Sequence, residues 1–241
     1  MARKFFLFFT VLFSIVGCHL TAIPPAELRV NSEPANAVEM ARVQSDPTFI
    51  QAYSQVKDGE ELVDIGDINP NIKLDIRYAT TNNFLRQKLY SVPRCLLRID
   101  VAESLSNVQQ DLEEMGLGLK VFDCYRPWSV TKQMWDILPD NRYVANPERG
   151  SRHNRGAAVD LTLVDLRTGE ELKMPTDFDD FTDKAARDYY YNTPEVRRNS
   201  NLLEYKMKRY GFDSLITEWW HFDAAGWDQY SLLNVRLDRV P

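Results

Sequence analysis

The sequence predicts a single α+β domain with a mainly antiparallel sheet flanked by helices, and three observations carry that expectation. Apolar residues recur at helical spacing in some segments and alternate with polar ones in others. The two kinds of segment are mixed without a regular βαβ repeat. No internal repeat, low-complexity tract or Gly-rich phosphate loop interrupts them, so nucleotide and dinucleotide chemistry lose their usual support.

The elements follow in chain order. Val63-Asp64-Ile65 and Ile72 to Tyr78 alternate apolar and polar residues, as half-buried strands do, around a turn at Asn69-Pro70-Asn71. Asp100 precedes Val101, Leu105, Val108, Leu112 and Met115 at helical spacing, with Glu103 placed for a capping box and Gly116 as the stop. Leu117 to Asp123 reads as a strand, Pro127 to about Leu138 as a second helix, and Val159 to Val164 as another strand. The last helix starts after Thr193-Pro194, places Val196, Leu203, Met207 and Tyr210 on one side, and stops at Gly211. Leu215 to Asp223 is expected to form the final strand.

The chain of 241 residues is 44% hydrophobic and 27% charged, within the range of soluble globular proteins and long enough to bury a large core. Residues 1–17 stand apart. Arg3 and Lys4 precede an apolar run from Phe5 to Val16, too short for a comfortable membrane span and patterned as a secretory signal. The run ends in Ile15-Val16-Gly17-Cys18, similar to a bacterial lipobox with Ile in place of the usual Leu, which makes Cys18 the expected lipid-bearing residue. Cleavage near Ala22 is the rival reading. Residues 18–50, with Pro24, Pro25 and Pro34, suit a tether, and 51–241 the domain. The expected location is the cell envelope, lipid-anchored and periplasmic.

Losing Arg3 and Lys4 with the leader takes the formal charge from −6 to −8, which makes nucleic acid an improbable partner. The cluster Arg197, Arg198, Lys206, Lys208 and Arg209 is interleaved with Glu195 and Glu204 and reads as a solvated helix face. With Cys18 assigned to lipid, an exported chain is expected to pair Cys95 with Cys124; two isolated buried thiols are the alternative.

Chemistry concentrates around the scarce histidines. There are three, and His19 adjoins the expected lipid site, which leaves His153 and His221 for the domain. Asp160 follows His153 by seven residues. An unbroken strand would send an odd separation to opposite faces, so a turn near Gly156 is needed for the two to converge. An imidazole and a carboxylate brought together in this way are credible zinc ligands, and His221 supplies a third with one tetrahedral position left open, the mark of catalytic rather than structural zinc. Glu218 stands three residues before His221, and must sit at a bend to serve as general base beside it. Trp219 and Trp220 are expected to wall the site. Arg126 lies between a strand and a helix, where a guanidinium can hold an oxyanion.

Taken together, the motifs resemble the D-alanyl-D-alanine dipeptidases, zinc enzymes related to the D,D-carboxypeptidases and hedgehog-type zinc domains. The Ser-x-His-x-x-Gly-x-Ala-x-Asp block corresponds to Ser151, His153, Gly156, Ala158 and Asp160; Glu-x-x-His to Glu218 and His221; Tyr-Arg-Pro to Tyr125, Arg126 and Pro127. The resemblance extends through Asp75-Ile76-Arg77-Tyr78-Ala79-Thr80 and Phe178-Asp179, covering roughly residues 60–225. It implies one zinc per chain on His153, Asp160 and His221, with Glu218 as base and acid and Arg126 on the tetrahedral intermediate. It also implies that Tyr78, Ser151 and Asp179 line the pocket for a small D,D-dipeptide, with Asp179 on its ammonium. The competing expectations are a D,D-carboxypeptidase or endopeptidase acting on longer wall peptides, and a non-catalytic, zinc-stabilised binding module.

Overall fold

The computed structural model describes residues 62–240. The leader, Cys18 and the tether expected over 18–50 lie outside the described residues. Strand β1 (Leu62–Asp64) pairs antiparallel with β3 (Leu96–Arg98), and between them lie the short helix α1 (Ile65–Ile68), strand β2 (Lys73–Leu74) and a 3-10 turn over Arg77–Ala79. Helix α2 (Ile99–Glu113), β4 (Leu117–Asp123), helix α3 (Trp128–Ile137) and β5 (Ala158–Asp165) follow. Helix α4 (Pro194–Arg209), β6 (Phe212–Ser214) and β7 (His221–Ala224) complete the frame.

The main sheet has the order β2-β4-β5-β7-β6. Only the β2–β4 edge is parallel, so the sheet is mixed, mainly antiparallel as expected. β5 lies at its centre, and seven of its eight residues are buried. That explains its continuous apolar reading: a strand covered on both faces has no solvent side to alternate with.

Helix α2 closes one face of the core with Val101, Ala102, Leu105, Val108 and Leu112, all buried, and packs on β4 and α4. Asp111 reaches from it to Lys206 at 2.9 Å. Lys206 is therefore a buried partner of α2 rather than part of a solvated face, whereas Arg197 and Arg198 are exposed as expected. Thr193 caps α4 by accepting from the Val196 N–H at 3.3 Å, with Pro194 at the first helical position.

Several elements differ from the sequence pattern for identifiable reasons. The capping box at Asp100 does not form, because α2 begins at Ile99 with Arg98 as its N-cap. The Arg98 side chain is committed elsewhere, with Nε donating to the Arg155 carbonyl and Nη2 to the Ser231 carbonyl, and its own N–H to Gly156. Asp100 instead accepts from the Val101 N–H and the Tyr230 hydroxyl. Ile65 begins a helix rather than ending a strand, since Asp64 turns to cap it through the Gly66 N–H at 3.0 Å. The strand expected over Ile72–Tyr78 shrinks to Lys73–Leu74, after which the chain coils so that Tyr78 faces inward. Of the strand expected over Leu215–Asp223 only the end is strand, in β7, and 215–220 form a loop that joins it to β6.

Candidate active site

Two local departures from regular structure build the site. His153 lies in a 3-10 turn, His153–Arg155, that ends at Gly156 with φ of +67°. This is the turn that the odd spacing to Asp160 requires. Glycine suits the position: a Cβ would stand 2.6 Å from Leu62 Cδ2, and the left-handed backbone strains any other residue. The second departure is a bulge in β4. Val121 pairs with Leu161 but Asp123 pairs with Asp160, so one extra residue re-aims the end of the strand and Arg126 beyond it.

On the sheet, Asp160 and His221 are direct register partners across β5 and β7. The turn lowers His153 onto them, and the candidate ligand atoms of all three residues lie within 4.8 Å of one another. His153 Nε2 is 3.2 Å from His221 Nδ1, which is 2.9 Å from Asp160 Oδ1. The far nitrogens are occupied. His153 Nδ1–H donates to the Cys124 carbonyl at 2.7 Å, and His221 Nε2–H to Asp223 Oδ1 at 2.9 Å. Each imidazole is thus oriented with one nitrogen aimed at the shared point, as metal-binding histidines are.

Two imidazoles and one carboxylate, all buried, fit one zinc ion with a fourth position open to substrate or water. The electrostatics agree. Burial opposes the Asp160 charge, but His153 and His221 hold its carboxyl well below the usual carboxylate range. Burial alone would lower the His221 pKa, but hydrogen bonds to Asp160 and Asp223 bring it up to about 10.

A cavity of about 570 Å³ opens over these ligands, and Tyr78, Arg126, Ser151, Asp179 and Glu218 line it with them. All eight cavity residues proposed from the sequence therefore meet in one place. Arg126 is buried, pairs with Asp123 Oδ2 through Nε at 3.1 Å and Nη2 at 2.7 Å, and lies 5.0 Å over the Tyr78 ring. The Tyr78 hydroxyl bonds both oxygens of Asp179 at 3.2 Å. Asp179 itself has φ of +62°, a conformation that side chains other than glycine rarely adopt. Burial raises its pKa well above the ordinary value, with Asp160 and Glu218 adding to the effect against the opposing Arg126 and Tyr78. Burial likewise pushes Glu218 up. Ser151 accepts from the His153 N–H through Oγ at 3.2 Å, steadying the turn.

Glu218 sits in the bent segment before β7, as the role expected of it requires. Trp220 walls the cavity, but Trp219 does not: its Nε1–H donates to Thr176 Oγ1 at 3.0 Å beside a separate cavity of about 430 Å³. Cys95 and Cys124 are joined, with Cα atoms 5.2 Å apart, and the pair supports the carbonyl that holds His153. Sequence reasoning missed Asp123, Asp223 and Asn154. Asn154 laces the site together, donating to the Arg126 carbonyl and Thr131 Oγ1 at 2.8 Å each and accepting from the Ser151 N–H at 2.7 Å.

Residues 58–235 match a family model described as D-ala-D-ala dipeptidase. The chain belongs to that family. A D-alanyl-D-alanine dipeptidase of Escherichia coli (strain K12) is 34% identical over 178 residues, 74% of this chain and 92% of that protein. One from Enterococcus faecium is 31% identical over 181 residues, 66% of this chain and 88% of the other. Among solved structures, the vancomycin resistance D,D-dipeptidase VanXYg in complex with a D-Ala-D-Ala phosphinate analog gives a TM-score of 0.37 at 25% identity. That match covers 56% of this chain and about half, 52%, of the other. The matched span of the D-ala-D-ala dipeptidase family takes in every one of the eight cavity residues and both cysteines of the disulfide.

Proposed function

We propose that the chain hydrolyses D-alanyl-D-alanine at this cavity, with one zinc held by His153, Asp160 and His221. The observation that carries the reading is the convergence of that ligand set with a carboxylate, Glu218, and a guanidinium, Arg126, in one cavity. Zinc so held supplies Lewis acidity to the scissile carbonyl and acidifies water.

The protein's own groups do the rest. Asp179 receives the free ammonium of the dipeptide, with Tyr78 fixing its carboxylate, and Ser151 or a neighbour receives the far carboxylate. Arg126, held ionised by Asp123, faces the carbonyl oxygen and stabilises the negative charge that develops on it. Glu218 takes one proton from the attacking water and gives it to the leaving nitrogen as the C–N bond breaks. Two molecules of D-alanine result, and no covalent enzyme intermediate is involved.

The half-buried Asp179 favours a free dipeptide over a wall stem peptide, because an acylated amine would leave that carboxylate without its ionic partner. The test is D-alanine release from D-Ala-D-Ala and from its N-acetyl form, each with zinc and with chelator. Chelator-sensitive release from the free dipeptide alone supports the proposal. Release from the acetylated form moves the activity to D,D-carboxypeptidase or endopeptidase work, and no release from either leaves other peptides to test and favours the binding-module reading. We further infer export and lipid anchoring through Cys18, supported by the leader and the lipobox-like end of residues 15–18. Replacing Cys18→Ser is expected to move the protein from the membrane to the soluble fraction.

A further inference from the structure

Arg187 belongs to none of the motifs and does not line the cavity, yet it touches both ends of the loop that carries Glu218. Its Nε donates to the Leu215 carbonyl at 2.9 Å and its Nη2 to the His221 carbonyl at 3.2 Å. Two backbone bonds run beside these: Arg187 N–H to Ile216 O at 2.9 Å, and Trp219 N–H to Ala185 O at 3.1 Å. The guanidinium lies 4.4 Å over the Phe222 ring, which fixes its plane. Burial lowers its pKa to about 10, so it remains charged at neutral pH. Its Nη1 is buried with no acceptor among the described residues, a cost that its other contacts must offset.

Glu218 lies midway along the clamped span. Among the described residues, none hydrogen-bonds its carboxylate, so the backbone path of 215–220 sets where that carboxylate points. We propose that Arg187 is a positioning residue for Glu218, a guanidinium clasp that draws the first residue of the loop and the first residue of β7 together and so aims the carboxylate into the cavity. The inference rests on Glu218 being the general base. A lysine has one cationic nitrogen on a flexible stem and cannot reproduce the fork that spans the two carbonyls.

The test uses the full chain. Arg187→Met is expected to lower kcat for D-Ala-D-Ala by roughly 10- to 100-fold, the scale of a misplacement of about 1 Å, with KM within about twofold and zinc affinity unchanged. Arg187→Lys is expected to fall between it and the unsubstituted protein, and carries the test if the Met variant does not fold. In a Glu218→Gln background, Arg187→Met is expected to cause no further loss, since a group that acts through Glu218 has nothing left to position. Hydrogen exchange of the Ile216–Trp220 amides is expected to speed up while that of β4 and β5 stays the same. Unchanged kcat and unchanged loop exchange overturn the proposal, as does a full additive loss in the Glu218→Gln background. Normal turnover of Glu218→Gln alone instead removes the base itself, a distinguishable failure of the functional reading.

Discussion

Asp179 concentrates the tension between stability and function in one side chain. It holds a left-handed backbone, is hydrogen-bonded by Tyr78, and has its pKa raised chiefly by burial above the ordinary 3.8. A carboxyl whose folded-state pKa is raised favours the fold most below about pH 4, and that contribution is lost as pH rises through the folded value. At neutral pH, where the carboxyl of the unfolded chain is ionised, burying this group therefore opposes folding until a cation pairs with it. Asp179→Asn, which tolerates the same backbone, is expected to raise the Tm of the metal-free chain at pH 7, to lose that gain as the pH is lowered toward 4, and to abolish release of D-alanine from the free dipeptide. Thermal melts across that pH range check the first two, and an unchanged or lower Tm at pH 7 would refute the argument. At this scale the chemistry-bearing residues were legible because imidazoles are scarce: with His153 and His221 the only ones in the domain, their neighbours could be weighed one at a time. Asp223 is legible on the same grounds. It stands two residues after His221 on a strand, hence on the same face. Asp123 gave no comparable signal, because its role depends on a bulge that no pattern of side chains announces.

Among the elements, those held by local forces matched their sequence patterns best. Leu117–Asp123 and the helix after Thr193 fall where periodicity and capping place them, whereas Ile72–Tyr78 and Leu215–Asp223 read as strands and are mostly not. In both of these, tertiary demands outweigh alternation: Tyr78 must turn inward to Asp179, and Glu218 must leave the strand direction that His221 follows. The turn between His153 and β5 carries the greatest burden for its length. Gly156→Ala adds a Cβ against Leu62 and the Arg98 backbone in a left-handed conformation, and is expected to cost more than about 1 kcal/mol. Because the turn positions His153, the same change should weaken zinc affinity. Denaturant midpoints with and without zinc separate the two effects: equal destabilisation in both would show that the turn supports the fold but not the metal.

For the molecule as a whole, the site acts as a crosslink between segments far apart in sequence. Adding a chelator is expected to abolish turnover and to lower Tm, because a ligand bound only to the folded chain stabilises it in proportion to the logarithm of its free concentration over Kd. Titrating zinc back should restore turnover as the site fills, while Tm goes on rising with the logarithm of free zinc beyond that point. The Cys95–Cys124 disulfide closes a loop with a sequence separation of 29, worth about 3–4 kcal/mol by chain entropy, and it also supports the carbonyl that orients His153. Replacing both cysteines with serine should therefore lower the unfolding free energy by that order and loosen zinc binding, the second measured by competition with a chromogenic chelator. The pairing of Asp160 with His221 across β5 and β7 has one more consequence. A slip of a single residue between those strands would turn His221 to the opposite face, and no cation could bridge the two. Ion capture is thus a proofreading step: a chain that holds its metal has, by that fact, aligned its central strands correctly, and misregistered copies remain distinguishable by their failure to do so.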